Sequence, residues 1–274
     1  QGRNVLANFA IDTFTITATA GTNGQISPTG AVIVTWNSNQ PFTITPDPNY
    51  HILDVLVDAL SQGPTNSYTF NNVTNNHTID ATFAIDRFAL DVTSAYGVPI
   101  PAGATTNDWN TPIAAQLTGS PHTIGAGTQA VCTGWSGTGS VTPGSGTNTL
   151  FNLTLNSTLN WQWKTQFLLT ASAGANGNVA ASNGWYDAGQ PAMNIQALPS
   201  NGYHFAGWTG DVPAINTNDN PLTLTMDRPR SVTANFDINT YSIIAAAPPN
   251  GSITPTGTTW VAHGGSQAYA ITPN

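Results

Sequence analysis

Strict alternation of apolar and polar residues dominates this chain. Thr13–Ala20 reads TFTITATA, Gln40–Pro46 reads QPFTITP and Asn220–Met226 reads NPLTLTM, with aromatic or aliphatic residues on one parity and mostly threonine on the other. A period of two over such short runs predicts half-buried β-strands. The stretch most open to a helical turn, YHILDVLVD at Tyr50–Asp58, is weakened as a helix by its isoleucine and valines. Asn23-Gly24 predicts a type I′ hairpin between the first two strands.

The pattern also recurs at long range. ANFAIDTFTI (Ala7–Ile16), ATFAIDRFAL (Ala81–Leu90) and ANFDINTYSI (Ala234–Ile243) are versions of one phrase, and WQWKTQFLL (Trp161–Leu169) is a blurred fourth. Its aromatic marker falls at Phe14, Phe88, Phe167 and Tyr241, at intervals of 74, 79 and 74 residues. Asn-Gly pairs at 23–24, 176–177 and 250–251, and the Gln40 and Gln267 strands QPFTITP and QAYAITP, keep step with it. A fixed period identifies stacked copies of one unit. The predicted organisation is the closing strand of a preceding or neighbouring-chain module at 1–12, module 1 at 13–86, a deviant module 2 at 87–165, module 3 at 166–239, and the first half of a fourth at 240–274. The repeated phrase is then the last strand of one module running into the first of the next. Its linker has no glycine or serine to make it flexible. Ile11, Ile85 and Ile238 are expected to plug the joints, each stabilising by ~1.5–3 kcal/mol if fully buried.

Composition narrows the fold. Charged residues are 7% of 274, against ~25% in ordinary domains. All thirteen acids are aspartate and Lys164 is the only lysine, so the usual residues of exposed helices are missing. Yet 39% of residues are hydrophobic and eight are tryptophan, too apolar for disorder. The expected class is all-β: a tandem array of small β-grasp-like or β-sandwich modules forming an elongated rod. A net charge of −8 argues against nucleic acid as a partner, and no apolar run reaches the ~20 residues that span a bilayer. Cys132 is alone and reads as a small buried residue. Gln1 reads as a processed start. Few charges and few thiols fit an exported protein.

Two segments, GYHFAGWTGDVPAINTNDNPLTLTMDRPRSVTANF (Gly202–Phe236) and NYHILDVLVDALSQGPTNSYTFNNVTNNHTIDATF (Asn49–Phe83), resemble the divergent InlB B-repeat family, related to the Listeria–Bacteroides repeats. The resemblance implies a β-grasp-like module strung in tandem on secreted or cell-surface bacterial proteins, acting as spacer, stalk or adhesin segment without enzymatic activity. Module 2 departs most, through TTNDWNTPIAAQLTGSPHTIGAGTQ (Thr105–Gln129).

Candidate chemistry adds little. His51 and His204 share one repeat position, which suits a role in every module better than one active site. Metal-binding spacings and nucleophile elbows are missing from the sequence, and aspartates fall at joints (Asp12, Asp86, Asp237) or in turns, where their side chains bond local backbone. Neither a cofactor nor catalysis is expected. Trp135 and Trp208, in equivalent GW(S/T)G segments, and Phe83 and Phe236, in the closing strands, are expected in module cores. Trp36, Trp109 and Tyr186 are read as one slot before the Gln strand, where exposed rings would suit sugar stacking. The leading expectation is a stalk, adhesin shaft or fibre component, either a window of a longer array or a chain joined to identical copies head to tail by strand complementation, with neighbouring repeats and a cell-surface target as partners. A glycan-binding array is the alternative.

Overall fold

The alternating segments are strands throughout. The computed structural model describes residues 2–274, and Gln1 lies outside them. Module 1 contains β1 (Thr13–Ala20), β2 (Gly24–Ser27), β3 (Gly30–Thr35), β4 (Gln40–Pro46), β5 (Tyr50–Val57), β6 (Leu60–Ser61), β7 (Ser67–Phe70) and β8 (His77–Ile85). One sheet has the order β3-β1-β8-β5-β6 and a second the order β2-β4-β7. Inward residues from both, Ile16, Val34, Val55 and Ile79 with Ile26, Phe42, Ile44 and Phe70, form a single core. The module is therefore a two-sheet sandwich, in which a face too apolar for water is covered by the second sheet. Tyr50–Val57 is strand, with a bulge between Ile52 and Asp54 that turns Val55 inward.

The expected Asn-Gly hairpin is corrected. β1 pairs with β3 and β8, and β2 pairs with β4, so the turn carries the chain from one sheet to the other. Asn23 and Asn176 adopt positive φ (74° and 70°) without a positive φ at the following glycine. Glycine is required there for space, because a Cβ on Gly24 or Gly177 would lie 2.4 Å from the ring of Phe83 or Phe236.

Module 2 contains β9 (Arg87–Ser94), β10 (Val98–Ile100), β11 (Gly103–Asp108), β12 (Thr111–Thr118), β13 (His122–Gly125), β14 (Thr128–Thr138) and β15 (Asn148–Leu153). Its departure from the repeat is β13, an extra strand ahead of β14 that pairs along it. Its closing strand is the first part of β16 (Ser157–Ala173), 17 residues long. β16 runs unbroken across the expected boundary at 165–166 and also serves as the first strand of module 3. Its first half pairs with β9 and its second with later strands, so the large sheets of the two modules are continuous.

Module 3 continues with β17 (Gly177–Ala180), β18 (Gly184–Asp187), β19 (Pro191–Pro199), β20 (Tyr203–Gly210), β21 (Leu222–Thr225) and β22 (Arg230–Ile238). The extra length of QPAMNIQALP is taken up by a register shift between Ala192 and Ile195. Residues 240–274 form two interleaved antiparallel pairs, β23 (Thr240–Ala245) with β25 (Gly257–Ala262) and β24 (Gly251–Thr254) with β26 (Ala270–Pro273). Residues 2–12, expected to close a preceding or neighbouring-chain module, form no strand within this chain, and Phe9 is 95% exposed.

Candidate functional site: the joints between modules

The repeated phrase places one residue at each joint: Asp12, Asp86, Thr165 and Asn239. In every case its carbonyl accepts a hydrogen bond from the turn that follows the third strand of the next module. The donors are the N–H groups of Trp36 (2.8 Å), Trp109 (2.7 Å), Ala188 (2.9 Å) and His263 (2.8 Å). The N–H of Asp86 is held from behind by the Asn49 carbonyl at 2.9 Å, and that of Asn239 by the Gly202 carbonyl at 2.8 Å. The side chains are tied as well, His51 Nδ1 to Asp86 Oδ1 at 3.0 Å and His204 Nδ1 to Asn239 Oδ1 at 2.9 Å. That pairing explains why the two histidines share a repeat position.

The isoleucine plugs are corrected. Ile11 is 73% exposed, Ile238 is 39% exposed and Ile85 is half-buried. Filling comes from elsewhere. The His263 ring lies so close to Gly202 that an added Cβ would meet it at 2.1 Å, and Pro229 would sit 2.8 Å from one on Gly127. The joint between modules 2 and 3 adds a polar chain: Gln129 to Gln166 (2.9 Å), Gln166 to Asp187 (2.8 Å) and Lys164 to Asp187 (2.9 Å). The one lysine of the chain is thus used at a joint.

A second recurring device closes each module. The first residue of the closing strand pairing is His77, Ser157 or Arg230. His77 Nδ1 lies 2.7 Å from Asp58 Oδ2, and Ser157 Oγ accepts from the Ser140 N–H at 2.8 Å. Arg230 donates to the carbonyls of Thr225 (3.1 Å) and Asp211 (2.9 Å) and to Asp227 Oδ1 (2.7 Å). Ser157 and Arg230 are the buried polar side chains among the described residues, so burial of polarity is confined to this slot. Sequence reading passed over Arg230, although the alignment of DRPRSVT with NNHTID carried the signal.

Asp58 lies below its ordinary value: burial pushes it up, and the hydrogen bonds from His77 and the Thr78 N–H more than offset that. Hydrogen bonds from Lys164 and Gln166 lower Asp187. A carboxyl lowered on folding stabilises above its unfolded value of ~3.9 and loses that contribution as pH falls through the folded value. Acid titration followed by circular dichroism should show thermal stability level from pH 7 to 5 and falling below pH ~4, with a smaller fall in Asp187→Asn. Asp54 accepts from the Val55 and Gly63 N–H groups and from Ser61, so it too serves local backbone.

The core residues lie as follows. Trp208 is 2% exposed, Phe236 is buried, and Phe83 is half-buried over Gly24. Trp135 is half-buried and packs against the core of module 2, with ring centroid 5.6 Å from Trp161, the more deeply buried of the two rings. The cause is an exchange of bulk between facing strands. Trp208 faces Ala234 in module 3, whereas Trp135 faces Trp161 in module 2, and there the two indoles share the space with Trp161 innermost. Trp161 occupies the alanine slot of the repeat (Ala81, Ala234), so its inward parity was readable.

The three aromatics proposed for sugar stacking do not share a slot. Trp36 is 56% exposed and Trp109 is half-buried, and each donates its N–H to a joint residue. Tyr186 lies two residues before Ala188, which takes that place in module 3, and its hydroxyl donates to the Ser182 carbonyl at 2.5 Å. They stand in three separate modules.

Comparison with protein families matches residues 14–87 and 167–240 to the divergent InlB B-repeat domain. No curated protein matches the chain. The two matched stretches are modules 1 and 3 and the joint residue that ends each.

Proposed function

The chain belongs to the divergent InlB B-repeat family, which is typical of extracellular or cell-surface bacterial proteins, and from that premise we propose that this segment is a stiff tandem spacer of such a protein. One observation carries the reading: the linking residue is tied into the module that follows by the same backbone hydrogen bond each time, at Asp12, Asp86, Thr165 and Asn239. A linker fixed at its carbonyl, and in two cases at its N–H, has little freedom to swivel, so successive modules repeat one relative placement. Such an array is a rod serving as a stalk or adhesin shaft. Its partners are the neighbouring repeats, and it has no catalytic role.

Small-angle scattering of the whole chain tests this. A compact sphere of this length has a radius of gyration near ~19 Å, whereas β16 alone spans ~56 Å at ~3.3 Å per residue. The expected radius lies well above the compact figure. Asp86→Pro, which removes the N–H bonded to Asn49, should broaden the distribution of interatomic distances. A radius close to ~19 Å in the parent protein sinks the rod.

Two extensions have their own observations. Val5, Leu6 and Phe9 are exposed in a stretch that repeats a closing strand, and Ile243, Ile244 and Ile271 are exposed in the half module. Addition of the one to the other in a second copy would make a filament, and light scattering that reveals monomers at all concentrations would dismiss it. Trp36, Trp185 and Trp260 are exposed. Retardation in polysaccharide-containing gels would favour glycan binding, and unchanged migration in every gel would remove it.

A further inference from the structure

We propose that each module is a tensile clamp, built so that a pull along the array loads a parallel ladder in shear. This rests on the reading of the modules as a series. The three modules share one arrangement: the strand by which the chain enters lies beside, and parallel to, the strand by which it leaves. In module 1 β1 pairs with β8 from Ile16↔His77 to Ala20↔Ala81. In module 2 β9 pairs with β16 from Leu90↔Ser157 to Ser94↔Trp161, and in module 3 β16 pairs with β22 from Leu169↔Arg230 to Ala173↔Ala234. Each ladder is five residues long in the same repeat register.

Parallel neighbours put entry and exit at opposite ends. Tension draws the first strand backwards and the last strand forwards along a common axis. The ladder bonds lie across that axis, so they share the load and must yield together rather than one after another. Burial protects them. Ile16, Ala18, Ile79 and Ala81 in module 1, and Leu169, Val232 and Ala234 in module 3, are among the most buried side chains present. The closing clips fall at the first ladder pair, where His77, Ser157 and Arg230 are held from their flanks. No slack lies between clamps: Asp86 alone separates β8 from β9, and β16 passes from one ladder into the next without a break.

Single-molecule stretching of the whole chain tests the clamp, with handles on peptide tags at its two ends. The expected trace is a sawtooth in which each module of 74–79 residues releases ~245–285 Å of extended chain, less the length the folded module already spanned, at ~3.3–3.6 Å per residue. A second attachment on the same protein, through bio-orthogonal residues at Thr13 and Thr35, pulls β1 from β3 at one end of their antiparallel pairing and opens it pair by pair. Rupture force should be several-fold higher for the end-to-end pull. Equal forces in the two geometries, or smooth extension without peaks, would overturn the clamp. Scattering would still report a rod in that event, so the two ideas fail separately.

Discussion

Trp208→Ala should lower the stability of module 3 by ~3–5 kcal/mol, the usual result of emptying a buried aromatic site. The indole is 2% exposed, packs with Phe205 at a centroid distance of 5.4 Å, and donates from Nε1 to the Asp219 carbonyl at 2.7 Å. Its loss opens a cavity and orphans that carbonyl. Modules of this size hold little stability in reserve, so module 3 should unfold well before module 1. Module 2 should follow module 3 part of the way because they share β16, and Asp86 should limit transmission to module 1. Calorimetry would resolve the transitions, and a single unshifted one would refute the expectation. The phenylalanine series sharpens the test. Trp161 is equally buried, but its Nε1 has no hydrogen-bond partner. An unpaired buried donor costs about 1–3 kcal/mol. Trp161→Phe therefore relieves a penalty while losing ring area and should be near neutral, whereas Trp208→Phe breaks a bond and should be clearly destabilising.

Gly134→Ala should be the most damaging single-methyl change in module 2, with a loss above ~4 kcal/mol, at the extreme of single substitutions. Gly134 is buried at the bulge of β14 with φ of 140°, and a Cβ there would lie 2.0 Å from the Gly144 carbonyl oxygen and 2.7 Å from the Ser145 Cα. Both atoms are backbone, so no rotamer change gives relief. Relaxation would pull apart the two bonds between Trp135 and Gly144, at 3.0 and 3.1 Å. Gly30→Ala is the matched control: its φ of 78° is unfavourable for alanine, yet nothing lies within 4 Å, and only the backbone penalty of ~1–2 kcal/mol applies. Urea unfolding of the two variants would separate collision from strain. Equal losses would show that the close approach of Gly144 is not what selects glycine.

Much of this molecule could be read before its coordinates. Alternation named the strands because a half-buried strand must present unlike residues on successive positions. The spacing of Phe14, Phe88, Phe167 and Tyr241 marked the modules, since stacked copies must repeat their core in register. Even the joints were located, in the phrase that includes Asp86 and Asn239. Other features were out of reach. The joint is secured by main-chain groups, and a carbonyl accepting from Trp109 or His263 leaves no signature in side-chain type. The isoleucines drew attention because burial is the commonest use of an apolar residue, and here the chain leaves Ile11 and Ile238 in solvent. Asn23-Gly24 looks the same whether it closes a hairpin or leads between sheets, and only the pairing of β1 with β3 and β8, and of β2 with β4, distinguishes the two. Likewise parity turns both Trp135 and Trp161 toward the core, and packing sets Trp161 the deeper of the two. Local pattern specifies which face of a strand is apolar. The partner that covers that face, and the backbone groups that meet at its ends, emerge only when segments distant in the chain come together.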